Sequence, residues 1–216
     1  MAATQARRRI VLAGPLLLVP EGLLELARIF GRRAPVVCDI GAARARYFLN
    51  VAPQLPQVDF VGIEIVRKRV EKALEKLEAA RLRNCRMICG NALQVLRDHI
   101  PPGSLAALTL LFPDPWPKKR HAKRRVFGRE DTAALFSSAL APGGIIVVKT
   151  DSAPYCDAIA SALASAPGLQ RSDSLEVALP GLAPFSLDRP EETKYEAAFA
   201  AEGRAIYRVV FRKVSP

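Results

Sequence analysis

Short apolar runs alternate with amphipathic stretches along most of this 216-residue chain. Five apolar runs predict buried strands, at 35–41, 58–65, 85–91, 105–112 and 145–151. Helical spacing of apolar positions predicts helices at 46–52, 66–80, 129–140 and 153–166. Two more strands are expected near 169–177 and 205–212, with a long polar loop at 179–203 between them. Such alternation predicts an α/β fold, with helices on both faces of a seven-stranded, mostly parallel sheet and an antiparallel last strand.

The bulk composition favours one globular domain, because half of the residues are apolar and no repeat or low-complexity linker divides the chain. The N-terminal run "IVLAGPLLLV" is short, is broken by Gly14-Pro15, and is followed by Pro20-Glu21 rather than by a cleavage site. No run has the length that a membrane span needs. We therefore expect a soluble cytoplasmic protein without a membrane partner, its oligomeric state open, with a monomer as the simpler expectation.

Metal binding is not expected from the sequence. The four cysteines do not have zinc-type spacing, and the two histidines are far apart. Buried reduced thiols are the simpler interpretation of the cysteines.

Charge changes this picture, since 32 basic residues outnumber 21 acidic ones and give a formal charge of +11. The excess is concentrated after "LFPDPWP", which begins at Leu111, in a segment without an acid. We call these residues the basic cluster: Lys118, Lys119, Arg120, Lys123, Arg124, Arg125 and Arg129. A solvated surface is the simpler alternative, but clustering without acids favours a polyanionic partner, above all nucleic acid.

Candidate chemistry lies where the predicted strands end, because ligands of such sheets bind beyond the carboxyl ends of the strands. Glu64 interrupts an apolar run at the end of the second strand, where a carboxylate can accept from both hydroxyls of a ribose. An ordinary solvated glutamate is the simpler alternative, but its place in an apolar run favours the ribose role. Asn91 follows the third strand and is either a base-edge contact or the N-cap of the next helix. Asp114 follows the fourth strand between two prolines, which limit the freedom of the loop. The adjacent Trp116 either stacks on a base or fills the core.

Four segments carry a resemblance to a known family: "GIEI" (62–65), "FPDPWPKKRHAKRR" (112–125), "PGGIIVVKTD" (142–151) and "TKYEAAF" (193–199). The second segment is long and specific, and the fourth supports it independently. Together they resemble the tRNA (guanine-N7)-methyltransferases, which are class I S-adenosylmethionine-dependent enzymes. The resemblance covers roughly residues 34 to 213, so we expect a methyltransferase domain at 34–216 after an N-terminal extension at 1–33.

The resemblance implies a Rossmann-like class I methyltransferase fold, S-adenosylmethionine as cofactor and tRNA as substrate. The cofactor-binding positions that it implies are Asp39, Gly41, Glu64, Asn91 and Asp114, and Asp114 also matches the acid at the methyl-transfer site. The implied substrate-binding positions are Lys118, Asp151, Thr193, Lys194, Tyr195 and Glu196.

The sequence departs from the family in the loop after the first predicted strand. The family has a G-x-G-x-G loop there, whereas this chain has Gly41 and then alanine at positions 43 and 45. Glycine permits positive φ and close backbone approach to a ligand. Three hypotheses follow: a tRNA guanine-N7 methyltransferase, an RNA-binding protein on the same fold with impaired catalysis, and a small-molecule methyltransferase. The third has no use for the basic cluster or for "TKYE".

Overall fold

The structure is a computed structural model that describes residues 17–18, 21–114, 126–128, 131–188 and 194–214. Its strands are β1 (Leu17–Leu18), β2 (Val36–Ile40), β3 (Asp59–Glu64), β4 (Cys85–Cys89), β5 (Leu105–Leu111), β6 (Leu140–Thr150), β7 (Leu169–Ser172), β8 (Glu176–Val177), β9 (Phe185–Ser186) and β10 (Tyr207–Lys213). Its α-helices are α1 (Leu26–Phe30), α2 (Arg46–Val51), α3 (Arg67–Ala79), α4 (Ala92–Asp98), α5 (Thr132–Ala139), α6 (Ala153–Ala164) and α7 (Lys194–Ala201). Short 3₁₀ turns occur at Ala52–Gln54 and Val126–Gly128.

The main sheet confirms the predicted α/β architecture. Its strand order is β1-β4-β3-β2-β5-β6-β10-β7. Neighbouring strands are parallel except that β10 runs antiparallel to both β6 and β7. The seven predicted strands are all present, and the two-residue β1 adds an eighth at the edge. The order reverses between β2 and β5, which makes the boundary of these two strands the topological switch point.

Two segments differ from the prediction. The strand expected at 169–177 is divided, because Ser172 Oγ accepts the N–H of Ser174 and Ser174 Oγ accepts the N–H of Glu176, each at 3.2 Å. Successive serine turns of this kind compete with strand pairing. The second half becomes β8, which pairs with β9 in a separate antiparallel hairpin.

The prediction of one long loop at 179–203 is also wrong, since β9 and α7 lie within it. Helix α7 is short, and its packing depends on Phe112, which is remote in sequence. The sequence of residues 179–203 alone therefore does not indicate the helix.

Apolar residues cover both faces of the sheet. Cys38 packs in a cluster with α4, α5 and α6, whereas the adjacent Val37 packs in the cluster that contains α2 and α3. This alternation is the two-residue period of a strand that is buried on both faces. Gly62 of β3 lets the next loop approach closely, because a Cβ atom there would lie 2.8 Å from Ala42 Cβ and 2.7 Å from Met87 Sδ.

Candidate active site at the carboxyl ends of the strands

The parallel strands β4, β3, β2, β5 and β6 end at the same edge of the sheet. Asn91, Gly41, Asp114 and Asp151 follow the ends of β4, β2, β5 and β6, and Glu64 is the last residue of β3. The sheet topology therefore brings together residues that are more than a hundred positions apart in sequence. The switch point between β2 and β5 lies in the middle of this row.

A buried hydrogen bond crosses the switch point. Thr109 Oγ1 on β5 donates to Asp39 Oδ1 on β2 at 2.7 Å. Both residues are buried: Asp39 is 4% exposed and Thr109 is 2% exposed. The bond fixes the Asp39 carboxylate at the centre of the edge. Sequence reasoning missed Thr109, although a hydroxyl in the apolar run 105–111 is a signal for a buried polar partner.

The loop after β2 has the backbone of a glycine-rich loop with alanine in two of its places. The φ angles of Gly41, Ala43 and Ala45 are +77°, +48° and +55°. Alanine in this region costs on the order of 1–2 kcal/mol. Two hydrogen bonds hold the start of the loop, because the N–H groups of Gly41 and Ala42 both donate to Ile63 O, at 2.8 and 3.1 Å. The loop thus keeps the left-handed geometry that glycine usually provides.

Glu64 holds the same loop from β3. Its Oε2 accepts the N–H of Ala43 at 3.1 Å, and its Oε1 accepts the N–H of Val66 at 2.8 Å. Glu64 is 3% exposed, and Arg69 Nη1 lies 3.6 Å from Oε2. A carboxylate offers about four lone-pair positions. Glu64 therefore keeps acceptor capacity for a bound diol while it fixes the loop.

Next to Glu64 the edge presents an apolar surface that sequence reasoning did not single out. Ile65 is 65% exposed and Val66 is 41% exposed. These two residues directly follow a buried acid at the edge where ligands of such sheets bind. Their signal in the sequence is an apolar pair placed just beyond a strand end.

Asn91 acts as the N-cap of α4, one of the two alternatives that the sequence left open. Its Oδ1 accepts the N–H of Gln94 at 3.1 Å. Within the described residues its amide nitrogen makes no hydrogen bond, and the side chain is exposed. The N-cap therefore leaves the donor half of the amide available for a ligand.

The chain turns sharply where β5 ends. Phe112 has a φ of +52°, and its N–H donates to Lys149 O at 2.7 Å. Left-handed backbone is unusual for a bulky residue and concentrates at functional sites. Pro113 and the exposed Asp114 follow, and we call residues 112–114 the Asp114 turn. Pro115, Trp116 and the basic cluster, which includes Lys118, lie outside the described residues.

Helix α7 packs against the Asp114 turn. The ring of Phe112 lies 5.9 Å from that of Tyr195 and 5.5 Å from that of Phe199, and the two α7 rings are 6.1 Å apart. These separations are typical of interacting aromatic side chains. The three rings therefore connect the "TKYEAAF" segment to the Asp114 turn.

Two ion pairs accompany these rings. Lys149 Nζ donates to Glu196 Oε1 at 2.9 Å, and the guanidinium of Arg204 pairs with Asp151. The Arg204 guanidinium also lies 4.0 Å from the centre of the Phe199 ring. Three predicted substrate residues, Asp151, Tyr195 and Glu196, thus lie in one neighbourhood.

The two remaining "TKYE" positions are less fully described. Thr193 lies outside the described residues, and Lys194 is described only as the first residue of α7. Lys149 and Arg204 were not predicted as site residues. A lysine in the apolar run "IIVVKTD" was the available signal for Lys149, because a buried ammonium group requires a partner. Arg204 had no signal in the sequence.

The described part of the chain contains no group of three or more metal-ligating side chains, and none of its helices is long and apolar enough to cross a membrane. Burial raises the pKa of the Cys38 thiol and raises the pKa of Cys85 to about 12. Both thiols are therefore protonated at neutral pH and do not supply thiolates.

Comparison with known proteins agrees with this geometry. A family model described as "Putative methyltransferase" matches residues 33–209. The structure is also similar to a crystal structure of the 16S rRNA (adenine(1408)-N(1))-methyltransferase of Catenulisporales acidiphilia with its cosubstrate, at a TM-score of 0.57 and 17% identity, covering 89% of this chain and 91% of that one. At this identity the likeness shows the class I methyltransferase fold alone.

Curated relatives give the narrower family. The tRNA (guanine-N(7)-)-methyltransferase of Mycobacterium avium (strain 104) is 39% identical over 192 residues, covering 89% of this chain and 71% of that protein. The enzyme of the same name from Alkalilimnicola ehrlichii is 38% identical over 192 residues, covering 88% of this chain and 77% of the relative. The predicted resemblance is confirmed: the chain belongs to the tRNA (guanine-N7)-methyltransferase family.

Proposed function

We propose that the protein catalyses the S-adenosylmethionine-dependent methylation of guanine N7 in tRNA. The observation that carries the proposal is the convergence at one sheet edge of the left-handed loop with Glu64 and the Asp114 turn. The names of the curated relatives support the substrate.

S-adenosylmethionine fits the described residues at this edge. Glu64 has acceptor capacity for the ribose hydroxyls, and the exposed Ile65 offers an apolar face to the adenine ring. A Cβ atom on Gly41 would meet no heavy atom within 4 Å, so the space beside the loop is open. We assign Asp39, Gly41, Glu64, Asn91 and Asp114 to the cofactor site. When bound, S-adenosylmethionine supplies an electrophilic methyl group.

The proposed role of Asp114 follows from the chemistry of guanine. N7 carries a lone pair and no proton, so it needs no general base, and the methylated base becomes cationic. A carboxylate can accept from guanine N–H groups, which orients the base, and can stabilise the developing positive charge. Asp114 is exposed beyond the sheet edge, where a base could approach it.

On the substrate side we assign Lys118, Asp151, Thr193, Lys194, Tyr195 and Glu196 to tRNA binding. Tyr195 is 50% exposed, so its ring offers a stacking surface beside the Asp114 turn. The basic cluster follows that turn in sequence and would contact phosphates on either side of the target base. We further propose that residues 34–216 form the catalytic unit after the extension at 1–33, and that the protein acts in the cytoplasm.

Mass spectrometry of tRNA nucleosides tests the proposal. Unmodified tRNA is incubated with the protein and with S-adenosylmethionine labelled in its methyl group. The expected product is labelled 7-methylguanosine. Binding of tRNA without labelled nucleoside, together with no cofactor binding at millimolar concentration, would instead favour the RNA-binding alternative. Label in another nucleoside would assign a different methylation.

The role of the basic cluster has a separate test in the salt dependence of tRNA affinity. Neutralising Lys118 and Lys119 should reduce the slope of log affinity against log salt by about 0.7 to 0.9 for each lost phosphate contact. Neutralising Lys72 and Lys76, on the exposed side of α3, is the matched control. An equal change in both pairs would show that only net charge matters.

A further inference from the structure

Lys149 lies next to the last residue of β6 and is buried although it carries a charge. Its side chain is 6% exposed, and that of its partner Glu196 is 14% exposed. Breaking a buried ion pair leaves an uncompensated charge and is strongly destabilising. Because Glu196 lies in the first turn of α7, the pair fastens this helix to the edge of the sheet.

The main chain of the same residue holds the Asp114 turn. Lys149 O accepts the N–H of Phe112 at 2.7 Å, and Phe112 has the left-handed φ of +52°. Such backbone persists only where the surroundings over-determine it. In the described part of the chain, the Phe112 side chain is also held by contacts with the rings of Tyr195 and Phe199 on α7.

A second connection holds the other end of α7. Arg204, which follows the helix, pairs with Asp151 just after β6 and lies over the Phe199 ring at 4.0 Å. Helix α7 is therefore fixed at both ends to residues at the end of β6. Its aromatic face meets the Asp114 turn between these two attachments.

We propose that Lys149 is a positioning residue for methyl transfer. By pairing with Glu196 it holds α7 against Phe112, and this contact fixes the direction in which Asp114 leaves the sheet. The inference rests on the proposed function, because that function gives Asp114 its role. Lys149 itself has no assigned part in tRNA binding, although α7 carries Tyr195 and Glu196, which have one.

The primary test is Lys149→Met, which keeps the length of the side chain and removes its charge. We expect kcat to fall by about 100-fold, as for a reacting group misplaced by about 1 Å. The KM for S-adenosylmethionine should stay near that of the parent protein. The KM for tRNA should rise much less than kcat falls, although Lys149→Met also removes the ion-pair partner of Glu196. The matched control is Lys72→Met, because Lys72 pairs with Glu75 at 2.8 Å on the exposed surface of α3. This control should not change kcat.

A spectroscopic readout follows the turn directly. Trp116, the only tryptophan of the chain, lies two residues after Asp114 in sequence. Its emission and its quenching by acrylamide should change in Lys149→Met and not in Lys72→Met. This measurement needs no catalysis. If the parent protein made no 7-methylguanosine, the proposed function would fail, while the fluorescence would still show whether Lys149 orders the turn.

The double variant Lys149→Met/Glu196→Leu covers the case in which the single variant does not fold. Replacing a buried ion pair by apolar residues is often neutral or stabilising. We expect the double variant to melt at a higher temperature than Lys149→Met. At saturating tRNA it should recover part of the parent kcat, although its KM for tRNA should be raised because Glu196 is also assigned to tRNA binding. Three results would overturn the inference: parental kcat and fluorescence in Lys149→Met, a raised KM for tRNA with unchanged kcat, or a double variant no better than the single one.

Discussion

The two ends of strand β3 each hold a buried carboxylate, and the two groups are bonded differently. Asp59, at the amino end, is 1% exposed, and its Oδ1 accepts from Arg32 Nε at 3.1 Å and from Arg32 Nη2 at 2.6 Å. Its Oδ2 is buried without a partner in the part of the chain that is described. Glu64, at the carboxyl end, is 3% exposed, and both of its oxygens accept backbone N–H groups.

Both groups are buried carboxylates, so burial and chemistry do not distinguish their roles. Their positions at opposite ends of the strand do. Burial raises the pKa of Asp59 against the opposing effect of Arg32. Desolvation therefore destabilises the ionised carboxylate, and the Arg32 side chain stabilises it. Glu64 instead fixes the backbone of the loop where ligands of such sheets bind. We therefore assign the amino end to stability and the carboxyl end to function, and the predictions below test that division.

The largest expected effect is that of Asp114→Ala at the carboxyl edge. Loss of one preorganised electrostatic group should lower kcat by about 10²–10³-fold. Melting temperature should change little, because the side chain is exposed. The affinity for tRNA should also change little, because phosphate contacts rather than one base contact supply most of it. Single-turnover methylation measures the first quantity, and Asp173→Ala, another exposed acid, is the control. Near-parental turnover would remove Asp114 from the mechanism.

Arg32→Met at the amino end should have the opposite profile. The Asp59 carboxylate would lose its bonded partner, which should lower the free energy of unfolding by about 1–3 kcal/mol at pH 7 without changing kcat. Arg28→Met is the control, because Arg28 forms an exposed pair with Glu25 at 3.8 Å and should change stability by less than about 0.5 kcal/mol. A loss of kcat in Arg32→Met without a loss of stability would break the division.

The same variant has a defined pH dependence. A carboxyl whose folded pKa is raised contributes stability below its ordinary pKa of about 3.9, and this contribution is lost as pH rises through the raised value. The cost of Arg32→Met should therefore shrink as pH falls toward 4 and Asp59 becomes protonated in the folded state. Urea unfolding at several pH values measures it, and a cost that grows toward pH 4 would contradict the assigned shift.

The smallest expected effect is that of Ala43→Gly in the left-handed loop. Relief of the positive φ, less the added entropy of the unfolded chain, should stabilise the protein by about 1 kcal/mol. Cofactor binding should also tighten, because glycine at this position allows closer approach of the backbone. Differential scanning fluorimetry and calorimetry measure the two outputs.

Two controls separate strain relief from a role in the site. Arg81 has a φ of +55° at the end of α3, so Arg81→Gly should raise the melting temperature and leave cofactor affinity unchanged. Ala80 has a φ of −79°, so Ala80→Gly should lower the melting temperature. If Ala43→Gly raised stability alone, as Arg81→Gly should, the alanine loop would not limit cofactor binding.

Sequence patterns predicted the parts of the site that depend on strand order. Glu64 and Asp39 stand at the ends of apolar runs, and a parallel sheet brings such ends together. The alternation of strands and helices was sufficient to predict the sheet and its antiparallel last strand. The left-handed φ angles of Ala43 and Ala45 could not be predicted from the sequence, because backbone propensity disfavours alanine in that region.

The part that could not be predicted depends on contacts between distant segments. Helix α7 is fixed by Lys149 and Phe112, which precede it by more than forty residues. The residues of 179–203, taken alone, indicate only a polar loop. Similarly, the sequence supported two roles for Asn91 equally. Only the hydrogen bond from the Gln94 N–H to Asn91 Oδ1 identified the N-cap.

Cofactor affinity in two matched variants tests the central division most directly. Glu64→Gln and Asp59→Asn each replace a buried carboxylate of β3 by its amide. Calorimetry should show that Glu64→Gln weakens S-adenosylmethionine binding by about 10–100-fold, the equivalent of about 1.5–3 kcal/mol for charged hydrogen bonds, while Asp59→Asn binds it like the parent protein. Equal losses in both variants, or parental affinity in Glu64→Gln, would contradict the assignment of function to the carboxyl end alone.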